Sequence, residues 1–165
     1  YLAASAEAAH RTNPSVRVGI LVSHFGARDS TLYAWAVQRD SPIDIIGVRI
    51  VPTRQGGRSI DAATDAVDRW MFAHLPLKDH WVFTGGFPLA HGADAQQDAV
   101  WAALAWGTDR QLVKGAIVEA AGDYAETMGL RSARGERRPV AWAVIRALRG
   151  LRESRAPSVT ILSAP

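Results

Sequence analysis

The fold of this chain is decided by residues 16–22, VRVGILV, and by residues 23–30, SHFGARDS, which follow them directly. The apolar run in the first segment is nearly continuous, which is typical of a strand buried on both faces of a parallel sheet. The second segment ends in Asp29 and Ser30, and either residue can cap a helix that extends to about Gln38. This order of strand, loop and helix predicts the first βα unit of an α/β fold.

The same order recurs further along the chain. Residues 43–51 form a second apolar, β-rich run, and residues 60–74 carry apolar side chains at helical spacing after Ser59, a suitable N-cap. Residues 80–84 predict a third strand that runs into Gly85-Gly86. Successive units of this kind favour right-handed parallel connections. The predicted fold class is therefore α/β, a Rossmann-like three-layer domain with a mostly parallel sheet of four or five strands and helices on both faces.

The second half of the chain predicts mainly helices. Three segments begin with a capping box and are therefore predicted as helices: residues 95–106, 109–121 and 123–128. Residues 100–106 also contain enough Trp, Val and Leu to suit a fourth strand. Beyond them, residues 139–152 predict a last helix and residues 159–162 a last strand.

Composition predicts one ordinary domain. The chain has 165 residues, of which 48% are hydrophobic and none is Cys. We expect a single domain over residues 1–165, with an N-terminal helix or arm at residues 1–15. The lack of Cys excludes a disulfide scaffold, a thiolate metal site and a cysteine nucleophile.

Targeting cannot be read from this sequence. No apolar run approaches the roughly 18 residues of a membrane helix, so no membrane span is expected. The expected location is cytoplasmic. The chain opens at Tyr1 without Met, a charged leader or a cleavage site. It is therefore expected to be a processed chain or an excised domain.

Positive charge is concentrated near the C-terminal end. Residues 131–155 hold eight Arg and two Glu and so carry +6, whereas the whole chain carries only +3. This basic loop and helix suits a protein partner or a homo-oligomer contact, and a solvated helix face is the plainer interpretation. A nucleic-acid role is not expected, because the net charge is small and the Trp residues fall on apolar helical faces.

Three loops are predicted to meet at the carboxyl edge of the sheet, where α/β domains bind ligands. They comprise residues 23–30, 52–59 and 84–94, and each combines glycine with hydrogen-bonding side chains. Backbone N–H groups at helix starts attract anions, so a phosphate or carboxylate ligand suits this edge. The predicted ligand-binding residues are Ser23, Gly26, Arg28, Arg54, Thr84, Gly85 and Gly86. Neither a dinucleotide fingerprint nor a P-loop motif is present.

Two histidines are candidate acid/base groups at the same edge. His24 and His91 each follow a predicted strand, and imidazole titrates near neutral pH. The plainer alternative is that both are ordinary polar loop residues. No histidine pair has the spacing of a zinc-binding motif, so no metal site is predicted, and the sequence identifies no cofactor.

Several short motifs resemble known α/β families. The segments Ser23-His24-Phe25-Gly26 and Pro42-Ile43-Asp44, with the strand that runs into Gly85-Gly86, are similar to the ribose-5-phosphate isomerase B and galactose-6-phosphate isomerase family over residues 16–106. That family's leading Asp is Ser23 here, and its catalytic Cys is absent. The resemblance implies proton transfer on a sugar phosphate, with His24 or His91 as acid/base. Thr84-Gly85-Gly86 is also similar to loops of molybdopterin-binding domains and of CRISPR-associated Rossmann-fold sensor domains.

The sequence therefore predicts a domain that binds a small anionic ligand, phosphorylated or nucleotide-like, at the carboxyl edge of its sheet. One alternative is a sugar-phosphate isomerase-like enzyme that uses His24 and His91. The other is a structural subunit of a larger assembly.

Overall fold

The computed structural model describes residues 1–50, 60–85, 92–119, 130–132 and 134–154. Helices and strands alternate through this part of the chain. In chain order the elements are α1 (Leu2–Thr12), β1 (Gly19–Val22), α2 (Ala27–Ala36), β2 (Ile45–Ile50), α3 (Ile60–His74), β3 (Asp79–Gly85), α4 (Ala93–Thr108), β4 (Val113–Glu119) and α5 (Pro139–Ser154). Among the helices in these ranges, none combines the length and the hydropathy that a membrane span requires.

The four described strands form one parallel sheet in the order β1-β2-β3-β4. Parallel neighbours need a crossover between them, and α2, α3 and α4 supply it. The predicted α/β class and the parallel sheet of four strands are thus confirmed. A Rossmann-like, doubly wound sheet reverses its strand order near the centre. The described strands follow one another without a reversal, so the finer, Rossmann-like prediction is not confirmed.

One face of the sheet is covered by helices. Its side chains include Ile46, Val48, Ile50 and Val82, all of them 0% exposed. Helices α2, α3 and α4 pack on β1, β2 and β3, respectively, and on one another. Helix α5 packs on α4 in a second apolar cluster that also contacts β4. The described helices α2 to α5 therefore lie on this face, whereas the sequence predicted helices on both faces.

Two predictions for the second half can be compared with the structure. Residues 100–106 are helical, within α4, whereas the predicted helix over residues 109–121 is wrong. Thr108 begins the sequence Thr108-x-x-Gln111, which has the form of a capping box. In the structure Thr108 instead ends α4 and donates its hydroxyl to the Ala105 carbonyl at 2.8 Å. The following segment becomes β4 because it pairs with β3 and packs apolar side chains against α4 and α5. The predictions for residues 123–128 and 159–162 lie outside the described residues.

A buried polar pair ties β3 to α2. His80 is 0% exposed, and its Nε2 lies 3.0 Å from the Tyr33 hydroxyl. Its Nδ1 lies 2.8 Å from the Lys78 carbonyl, which can only accept, so Nδ1 donates and Nε2 accepts from Tyr33. Burial lowers the pKa of His80 below its ordinary value of 6.5 and keeps the ring neutral. His80 is therefore a neutral, hydrogen-bonded residue of the core.

Candidate functional site

The loop between β1 and α2 is organised by the carboxylate of Asp29. Its Oδ2 accepts the backbone N–H of Ser23 at 2.8 Å, of His24 at 2.7 Å and of Phe25 at 3.0 Å. The turn is tight, since Phe25 has a positive φ of 54°. An oxygen at the focus of three N–H groups stands where a bound anion would stand. The Asp29 carboxylate thus takes the position of a bound anion at these backbone N–H groups, and it stabilises the conformation of the loop.

Three of the predicted site residues lie on this loop, at the carboxyl end of β1. The side chain of His24 is exposed, and its Nδ1 lies 3.0 Å from the Ser23 hydroxyl oxygen. Gly26 is the exposed N-cap of α2 and has ordinary extended backbone angles. The imidazole is therefore accessible to a ligand, and an acid/base role for His24 stays a prediction.

The other predicted site residues are placed differently. Arg28 lines a groove of about 740 Å³ between α1 and α2, beside Leu32 and Trp35. Thr84 is 1% exposed on the helix-covered face, where its hydroxyl donates to the Ile50 carbonyl at 3.0 Å. Gly85 ends β3 beside Glu119 of β4. The structure therefore does not gather these residues at one point. Arg54, Gly86 and His91 lie outside the described residues.

An ion pair crosses the sheet at its carboxyl edge, on the face opposite the helices. Arg49 of β2 binds Glu119 of β4, with Nη2 at 2.6 Å from both carboxylate oxygens and Nε at 3.1 Å from Oε2. The two strands are not neighbours, so the side chains must span β3, a distance of roughly 10 Å between strand axes. Glu119 pairs in register with Gly85, the last residue of β3.

The pair is only partly shielded from solvent. The Arg49 and Glu119 side chains are 26% and 24% exposed, respectively. Phe83, the register partner of Arg49, lies on the same face and is half-buried. The edge thus combines a charged hydrogen-bonding pair with a neighbouring aromatic ring, a combination that suits a polar ligand with an apolar side.

Sequence reasoning missed both residues of this pair. Glu119 fell inside the wrongly predicted helix over residues 109–121, so no strand end was expected there. Arg49 lay within the predicted strand over residues 43–51, where a charged residue interrupts an otherwise apolar run. That interruption was the available signal, because a charge within a buried strand needs a partner.

Solved structures share this architecture at low sequence identity. Xylanase 10B from Thermotoga maritima matches with a TM-score of 0.68 and 16% identity, over 94% of this chain and 53% of that chain. A thermostable xylanase mutant from Cellvibrio japonicus matches with a TM-score of 0.67 and 13% identity, over 91% of this chain and 54% of that one. A β-glucuronidase from Bifidobacterium dentium, complexed with a coumarin glucuronide, matches with a TM-score of 0.64 and 16% identity, over 88% and 26%.

These matches concern the fold alone. The neighbours are TIM-barrel-like glycosidases, and this chain spans about half the length of the two xylanases and a quarter of that of the glucuronidase. No protein-family model matches the sequence, and no curated protein sequence matches it either.

Proposed function

We propose that this chain forms part of a carbohydrate-binding site, in which Glu119 and Arg49 contact the hydroxyl groups of a sugar. The observation that carries the proposal is the position of their ion pair at the carboxyl ends of β2 and β4. In β/α barrels, ligands are bound by residues at this end of the strands. The glycosidase neighbours, whose names refer to xylan and to glucuronides, add support through their shared architecture.

The chemistry of the pair suits a sugar better than a phosphate. A carboxylate accepts hydrogen bonds from hydroxyl groups, a guanidinium donates to ring and hydroxyl oxygens, and the apolar side of the sugar can stack on Phe83. A phosphate would face the negative charge of Glu119, and it would compete with that carboxylate for Arg49. The β1–α2 loop does not favour a phosphate either, because Asp29 already accepts hydrogen bonds from three of its backbone N–H groups.

We propose sugar binding. Hydrolysis of the sugar is measured separately, by the assay described below. Glycoside hydrolysis commonly needs two carboxyl groups that flank the scissile bond, about 5–10 Å apart. At the carboxyl edge, the described residues supply Asp29, Asp61 and Asp94 in the first turns of α2, α3 and α4, and Glu119 at the end of β4. Asp29 is held by backbone N–H groups, and Glu119 is the carboxylate on the face opposite the helices, beside Phe83. Glu119 is thus the carboxylate that we expect a sugar to contact.

Calorimetric titration tests this proposal. We expect the protein to bind the neutral sugars xylotriose or p-nitrophenyl xyloside more tightly than a hexose phosphate. Glu119→Gln keeps the size of the side chain but removes its charge, and it should weaken sugar binding about tenfold or more, equivalent to roughly 1.4 kcal/mol. Release of p-nitrophenol, followed in the same samples, reports hydrolysis.

The matched control is Glu7→Gln, which removes an exposed carboxylate on α1. It should leave the affinity unchanged. Equal affinity in Glu119→Gln and the parent protein would contradict the proposal. Binding of the hexose phosphate but of neither sugar would contradict it as well, and would favour the anionic-ligand prediction made from the sequence.

A further inference from the structure

The face of the sheet opposite the helices carries large apolar side chains that nothing in the described residues covers. Leu21 of β1 is 41% exposed and Ile117 of β4 is 37% exposed. Trp81 and Phe83 of β3, between them, are half-buried on the same face. Apolar side chains in a row along adjoining strands are typical of a surface that is buried in the working protein.

The packing within this open face is that of a barrel interior. Leu21, Gly47, Trp81 and Gly115 occupy one row across the sheet, so large residues on β1 and β3 alternate with glycines on β2 and β4. A Cβ atom on Gly47 would come within 2.9 Å of Leu21, and one on Gly115 within 2.9 Å of Trp81. In (β/α)₈ barrels each interior layer takes its side chains from alternate strands. The glycines thus make room for such a layer.

The two edge strands of the described sheet, β1 and β4, each lack a neighbour on one side. Among the described strands, β1 pairs only with β2, and β4 pairs only with β3. Exposed edges present unpaired N–H and C=O groups, and a closed barrel removes them. Because all four strands are parallel and in chain order, further parallel strands can pair with both edges and close the sheet on the open face.

We propose that the open face is the inner wall of an eight-stranded barrel, and that the covering half is a set of parallel β/α units in the same polypeptide. The lengths of the two xylanases favour a covering half that belongs to the same polypeptide. The chain aligns over more than 90% of its length with about half of each xylanase, and the other half belongs to the same xylanase chain. This inference rests on the sheet and does not depend on which ligand binds.

Cysteine reactivity tests the proposal. These 165 residues contain no Cys, so each introduced thiol is the only one among them, and its alkylation is measured on the peptide that carries it. Ile117→Cys and Leu21→Cys each place a thiol on the open face, and Phe72→Cys places one on α3, where Phe72 is 83% exposed. In the complete protein, the open-face thiols should be alkylated about tenfold or more slowly than the thiol of Phe72→Cys, since access controls thiol reactivity. Circular dichroism checks that each variant is folded, and the molar mass is measured by light scattering.

Three results would be informative. Slow alkylation in a protein of monomer mass, unchanged by dilution, supports the proposal. Alkylation as fast as in Phe72→Cys would overturn it. Protection that fades on dilution, together with a dimer mass, would also overturn it, because a second copy would then supply the cover. Hydrogen exchange of the unsubstituted protein gives an independent reading: slow exchange of amides along both β1 and β4 is expected, and fast exchange at both strands would contradict the barrel.

Discussion

The Asp29→Ala variant is expected to lose about 2–4 kcal/mol of unfolding free energy, because three backbone N–H groups lose a charged acceptor at once. The loss stays below the sum of three buried bonds since His24 is exposed and water can replace part of the contact. Urea unfolding followed by circular dichroism measures the change.

Asp94→Ala is the matched control for this prediction. Asp94 is an exposed acidic residue in the first turn of α4, as Asp29 is in the first turn of α2. Its removal should cost no more than about 1 kcal/mol, the usual contribution of a charge at a helix N-terminus. Equal losses in the two variants would show that Asp29 acts through the helix dipole alone and that the loop does not depend on its carboxylate.

The second large effect concerns the cluster between α4 and α5. Leu104 is 1% exposed and belongs to the apolar cluster that contains Val100, Val140 and Val144. Leu104→Ala should therefore lower the unfolding free energy by about 2–5 kcal/mol, through lost burial and the cavity left behind.

Leu148→Ala serves as the control in the same pair of helices, because Leu148 is 40% exposed. It should cost less than about 1 kcal/mol. A small loss in Leu104→Ala, comparable with that control, would mean that α5 does not pack on α4 as described.

The first half of the fold follows from local sequence patterns. The apolar run at residues 43–51 and the helical spacing at residues 60–74 correspond to β2 and α3, because period and burial are visible within a few residues. The strand predicted over residues 16–22 is shorter in the structure, where β1 covers Gly19–Val22. Strand ends depend on partners, which a local pattern does not contain.

The second half could not be predicted in the same way. β4 was hidden because its segment follows a residue that suits a helix cap, and its conformation is decided by pairing with β3. Arg49 and Glu119 are 70 residues apart in the chain, so their contact depends on strand order and register. Neither property can be read from one segment alone. The open face was not predicted either, because the nearly continuous apolar strands indicated burial on both faces of the sheet.

Observing Arg49 while a sugar binds tests the proposed site most directly. In a nitrogen–proton correlation spectrum, the Nε–H of Arg49 has its own resonance, assigned by comparison with Arg49→Lys. We predict that xylotriose or p-nitrophenyl xyloside shifts this resonance in proportion to occupancy, and that Glu119→Gln removes the response. If the sugar binds while the Arg49 resonance stays in place, the ligand lies elsewhere and the proposed site is wrong.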